Sequence, residues 1–311
     1  MSRLRIALSS CWVLVALSWV ASCGEPEPPD EPEPPECAVD RADEILVSGY
    51  LSNQVHRFDV CGAPLGQVET EGRIRGAQAT RLGADGLLYV ISEENGRILR
   101  YQASTLEYVD TLIDLGLQPD ALGGIERPTG LAIGPEGDLF VGGYESRLVA
   151  RIDDTGALVD SYDLAPSGVA GIDAGMAFHP DGRLLVPGYD SNSIAALDVE
   201  TGDMSEFAGA GAGLSRPRVI AVDEDRARIL VSSQGANRVQ ILSYQGESQG
   251  LVISLSDVTG LALDVDGQLL VTSDSGDALR RYDAEGALLG ALNQAGTGGL
   301  RGATFITVLP R

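Results

Sequence analysis

The sequence predicts an all-β protein: six four-stranded antiparallel sheets set as blades around one axis, the ring closed by the C-terminal strand. Three observations predict it. Six segments share one pattern, EILVSGYLSNQVHRFD, LLYVISEENGRILRYQ, DLFVGGYESRLVARID, RLLVPGYDSNSIAALD, RILVSSQGANRVQILS and QLLVTSDSGDALRRYD. Their central valines, Val47, Val90, Val141, Val186, Val231 and Val271, stand 43, 51, 45, 45 and 40 residues apart, a spacing that suits four short strands per repeat. The first repeat lacks the apolar run that precedes the others, while the chain ends on such a run, RGATFITVLP, and the two fragments make one blade.

Taken in order, residues 1–22 read as a signal peptide, with Arg3 and Arg5 ahead of an apolar run too short for a durable span. The residues Val20-Ala21-Ser22-Cys23 resemble the lipobox of bacterial lipoproteins, which implies that Cys23 is acylated and becomes the mature N-terminus. Residues 23–36 then form a tether, since EPEPPDEPEPPE holds no large apolar side chain and cannot offset the entropy of ordering. In a polyproline II path, residues 24–36 reach about 40 Å. The lipid anchor makes the membrane a partner and the bacterial envelope the expected location. Gly24, rather than an aspartate, after Cys23 favours the outer membrane in a Gram-negative cell.

The propeller is expected over residues 37–311. Cys37 and Cys61 remain as a pair in an exported chain, the pattern of a disulfide, and such a loop stabilises by about 3 kcal/mol. Each repeat unit is a hairpin, two apolar runs of strand length around a Gly/Ser/Asn/Asp turn. The preceding runs, such as TGLAIGPEG and TGLALDVDG, supply inner strands, and weaker runs such as GALVDSY supply outer ones. The phrase RPTGLAIGPEGDLFVGGYESRLVARIDDTGAL resembles the NHL repeat, and the resemblance runs from about residue 42 to the end. It implies a six-bladed β-propeller but no particular activity.

Antiparallel topology orients the ring. If inner strands run from face X to face Y, the turns between second and third strands return to X, while Cys37, Cys61 and the tether lie at Y. Face X then points away from the membrane.

Composition limits the chemistry. The net charge is −23, and loss of residues 1–22 removes two arginines and no acid, so nucleic acid is excluded as a partner. All 22 basic residues are arginine, which rules out Schiff-base or P-loop lysines. Only two histidines occur: His56, in a third strand, and His179, in FHPDG at a turn on face Y. The amidating lyases that share the fold hold zinc with several histidines, so the resemblance does not carry that activity. Streptogramin-lyase-like propellers and calcium-dependent lactonases of the gluconolactonase type remain as relatives. No cofactor is assigned; Ca2+ or another divalent ion enters only with the lactonase alternative, for which Asn53, Asn192, Asn237 and Asp277 are candidate ligands. These residues recur at equivalent turns, which points to turn chemistry instead.

The candidate ligand face is X. Tyr50, Tyr144 and Tyr189 each follow an anchoring valine by three residues and end second strands there. Arg127, Arg216 and Arg301 align just before the inner strands of alternate blades, where Gly76, Ile172 and Asp257 occupy the other three. Three guanidinium groups at one mouth predict a small carboxylate- or phosphate-bearing ligand. No catalytic residue and no metal ligand is assigned. The leading expectation is a non-catalytic, tethered propeller presenting X to a small anionic ligand or a protein; the alternative is a metal-dependent hydrolase, lactonase or lyase.

Overall fold

A computed structural model describes residues 42–311, and the expected leader, Cys23, the tether and Cys37 lie outside them. Within this range the chain forms six separate four-stranded antiparallel sheets, the blades of a six-bladed β-propeller. The anchoring valines all fall in the second strands, Glu44–Gly49, Leu87–Ser92, Leu139–Gly143, Leu184–Gly188, Arg228–Ser233 and Leu269–Ser273. Each is fully buried, and burial of a valine side chain contributes about 1.5–3 kcal/mol. These strands read as continuous apolar runs because both of their faces pack against neighbouring blades. Outer strands such as Leu158–Asp163 and Pro64–Gln67 are largely exposed, which is why their sequence signal is weak.

Ring closure follows the expected route. The C-terminal strand Ala303–Leu309 pairs antiparallel with Glu44–Gly49, so blade one combines the two ends of the propeller. Arg311 locks the joint: its Nη2 lies 2.7 Å from Glu44 Oε1, and its Nη1 donates to the carbonyls of Ala103 and Ser104 in the next blade. Glu44 also receives Arg57 at 2.8 Å. Burial alone would push the Glu44 carboxyl up, but its bonds to Arg57 and Arg311 overturn that and hold it below its ordinary value.

The turns between second and third strands share one device. Each has a residue with positive φ at the same place: Asn53, Gly96, Arg147, Asn192, Asn237 and Asp277, with φ from 39° to 62°. Asn and Asp tolerate this left-handed geometry, which explains their recurrence. Their side chains do a second job: Asn53, Asn192, Asn237 and Asp277 accept hydrogen bonds from the backbone N–H groups of Gly76, Arg216, Asp257 and Gly302, at 2.6–2.9 Å. Each bond ties a turn to the start of the next blade's inner strand. The four side chains are therefore interblade staples and do not converge on a cation.

Inner strands crowd at the waist of the axis. An added Cβ at Gly175 would lie 2.4 Å from Val219 Cα, and the backbones of these neighbouring blades bond directly, Gly175 N–H to the Arg218 carbonyl and Ile220 N–H to the Gly175 carbonyl. Ala79, Val219 and Phe305 are buried at the same level. The axis is thereby divided into a cavity at each end.

Candidate functional site: the X-face mouth

Pairing registers set which residues are equivalent at the mouth. The first paired residues of the six inner strands are Ala77, Pro128, Ile172, Pro217, Val258 and Ala303. The positions just before them are therefore Gly76, Arg127, Gly171, Arg216, Asp257 and Gly302. Arg301 stands one residue too early and Ile172 one too late for the aligned ring, so the threefold alternation of arginines does not exist in the fold.

The three arginines also do not gather. Arg127 lines the mouth, but its Nη2 is 2.6 Å from Glu93 Oε1 and 3.2 Å from the Tyr50 hydroxyl. Arg216 is exposed and lies over the ring of Tyr189 at 5.4 Å, outside the lining of the cavity. Arg301 is exposed and also outside that lining.

What does line the mouth is a pair of rings around a cavity of about 420 Å³. The upper ring is the residue three past each anchoring valine: Tyr50, Glu93, Tyr144, Tyr189, Gln234 and Asp274, all six of which border the cavity. Tyrosines were legible in three of these places, and the same offset applied to the other blades finds Glu93, Gln234 and Asp274. The lower ring is the second residue of each inner strand, Gln78, Thr129, Asp173, Arg218, Thr259 and Thr304, of which all but Thr259 border the cavity. Its threonines face inward yet remain satisfied, since Thr129, Thr259 and Thr304 donate to the carbonyls of Ile172, Ala303 and Ala77 at 2.6–3.0 Å.

Charges in the two rings are mostly spent. Arg218 Nε meets Asp173 Oδ2 at 2.8 Å, with side-chain exposures of 11% and 6%, so the pair is largely shielded from solvent at the floor of the mouth. Gln78 donates to Glu93 at 2.7 Å, and Glu93 also takes Arg127. Burial pushes the Glu93 carboxyl up against these partners. The remaining two carboxylates of the mouth, Glu145 and Asp274, make no ion pair among the described residues. Burial raises Asp274 as well, opposed by the Arg218 charge and reinforced by Asp257 and Asp277. The lining thus holds four carboxylates against two guanidinium groups. Tyr144 and Tyr189 stand 6.2 Å apart, and the Tyr144 hydroxyl is anchored by Asp190 at 3.0 Å.

Neither histidine reaches this mouth. His56 is buried between the Ser52 hydroxyl at 2.7 Å and the Gly298 carbonyl at 3.2 Å, and burial holds its pKa down. His179 is buried beside Phe207 and Tyr244, with Nδ1 at the turn formed by Asp181. Among the described residues no group of three His, Cys, Asp or Glu side chains has the geometry to hold a metal ion.

The fold has solved counterparts. The chain is similar to a chain of a nidogen/laminin complex, at 12% identity and a TM-score of 0.69 over 86% of this chain and 98% of that one. It is also similar to virginiamycin B lyase from Staphylococcus aureus, in a catalytically inactive form with quinupristin, at 16% identity and a TM-score of 0.60 over 80% and 84% of the chains. A protein of unknown function from Bacteroides caccae aligns at 15% identity and a TM-score of 0.64 over 86% and 99%. No family model and no curated protein matches the chain.

Proposed function

We propose that the protein is a non-catalytic binding propeller, held at a bacterial membrane by a lipid on Cys23, whose X-face mouth takes a small ligand carrying a protonated amine beside an aromatic or apolar body. One observation carries the ligand class: three tyrosine rings and two unpaired carboxylates, Glu145 and Asp274, share one cavity of about 420 Å³. Tyrosine faces attract cations, and the Glu145 and Asp274 carboxylates, exposed at the mouth, complement a cationic group. A small anion finds less there, because Glu93 has taken Arg127 and Asp173 has taken Arg218.

The lyase alternative has less support. The inactive S. aureus lyase differs from its active form by replacement of a histidine with alanine. In this chain both histidines are engaged away from the mouth. Consumption of quinupristin by the purified chain would put the lyase reading first.

The binding reading is tested by calorimetry on the full chain with two probes of similar size, phenethylamine and 3-phenylpropionate. The amine should bind saturably and the acid should not, and Asp274→Asn should weaken the amine by about tenfold, the worth of one charge-assisted contact. Preferential binding of the acid, or equal affinity of the Asp274→Asn variant, would overturn it.

A further inference from the structure

At the opposite end of the axis lies a second cavity of about 400 Å³, walled by Leu82, Ile133, Phe178, Val222 and Ala262 and containing a single cation, Arg81. Arg81 occupies the fifth position of the inner strand Ala77–Leu82, where its side chain turns into the axis. Its guanidinium lies 4.4 Å above the ring of Phe305, which closes the waist, and its Nη2 donates to the Met176 carbonyl across the channel at 2.8 Å. Its other polar contact among the described residues is a long one from Nη1 to the adjoining Thr80 carbonyl, at 3.5 Å.

Among the described residues no carboxylate answers this charge. The acids at the neighbouring inner-strand ends are taken: Asp223 by Arg228 at 2.8 Å and Asp264 by Arg281 at 3.5 Å. Burial pushes the Arg81 pKa down to about 10, so it stays charged at neutral pH with no counterion among the described residues. A cation kept partly from water without an acid beside it is costly unless something compensates it. Carbonyl dipoles and a ring face supply part of that compensation, and the open donors of a planar fork match a carboxylate. The side chains of the wall, Leu82, Ile133, Phe178, Val222 and Ala262, then offer an aliphatic chain its contacts, between backbone polar groups that also reach the cavity.

We propose that this Y-face cavity is a binding site for an aliphatic monocarboxylate, the Arg81 guanidinium holding the carboxylate and the apolar wall taking the chain. The site is independent of the X-face mouth, from which the buried waist at Phe305 and Val219 separates it. It places an anion site at the end of the axis opposite the acidic mouth.

The test uses the full chain and sodium hexanoate as the probe. In thermal-shift and calorimetric titrations, hexanoate should raise the melting temperature saturably, with affinity growing along the series butanoate, hexanoate, octanoate as more chain meets the wall. Hexan-1-ol should give at least a tenfold weaker effect, since it lacks the charge. Arg81→Met should abolish hexanoate binding while the phenethylamine response of the X mouth is retained, which separates a local loss from misfolding. Crystals soaked with 6-bromohexanoate provide a reading that does not depend on any variant: a bromine anomalous peak in the cavity with the carboxylate on Arg81 is expected. Equal binding of hexanol, equal competition by inorganic phosphate or chloride, retention of the effect in Arg81→Met, or a soaked crystal with no bromine in this cavity would each overturn the assignment.

Discussion

The Asn53 side chain accepts a hydrogen bond at 2.8 Å from the backbone N–H of Gly76, the residue that leads into the inner strand of the next blade. One asparagine thus serves two structures, holding its own turn at φ 56° and stapling two blades together. Asn53→Gly should remove only the staple and cost about 1 kcal/mol. Asn53→Ala should also strain the turn and cost about 1 kcal/mol more. Urea denaturation of both variants checks the order; equal midpoints would contradict the double role.

The buried pair Asp173–Arg218 makes a sharper case. Asp173→Ala leaves a largely shielded guanidinium without its partner and should destabilise by about 2–3 kcal/mol. Removing both charges, as Asp173→Ala with Arg218→Met, should recover most of the loss. A double-mutant cycle by denaturant unfolding measures this directly, and additive losses would contradict the coupling.

Acid should loosen the joint between the chain ends. The Glu44 carboxyl is held below its ordinary value of 4.5 in the folded state, despite burial, by Arg57 and Arg311. Its contribution is therefore fully present above about pH 4.5 and is lost as pH falls through the lower folded value. Glu44→Gln should cost about 1–2 kcal/mol at pH 7, after allowance for solvent screening of a partly exposed network, and much less at pH 3. Unfolding midpoints of the two proteins across that range give the answer, and a pH-independent gap would exclude this origin.

The anchor Cys23 and one partner of the proposed bridge, Cys37, lie outside the described range, so both readings are tested chemically. Cys23→Ser should yield a folded protein released from the membrane fraction. Native, non-reduced protein should leave Cys37 and Cys61 unlabelled by a thiol reagent, with both labelled after reduction.

The legible parts of the site were the ones written blade by blade. Tyr50, Tyr144 and Tyr189 stand at a fixed offset from buried valines, and strand geometry alone carries them to face X. Arg301 was misplaced because RGATF and RPTGL look alike by residue type, whereas the pairing of Gly49 with Ala303 puts Gly302, not Arg301, in the place of Arg127. Blade four hid Asp173 for a related reason. Between the Ile172–Gly188 bridge and the Ala177–Leu185 pair its inner strand carries one residue more than the others, and that slip makes an alignment on the apolar run put Ile172 where Gly171 stands, while Asp173 meets Arg218 of blade five.

By itself, then, the sequence determined the fold: six buried second strands, their Asn/Asp turns and a C-terminal inner strand are local or periodic features whose meaning does not depend on distant partners. Only the tertiary structure decided which charges remain available. Arg127 and Arg218 are neutralised at one end of the axis by acids from neighbouring blades, while Arg81 at the other end meets none among the described residues. That outcome depends on side chains from different blades meeting across the axis, and spacing along a chain does not encode which of many acids a given arginine will meet.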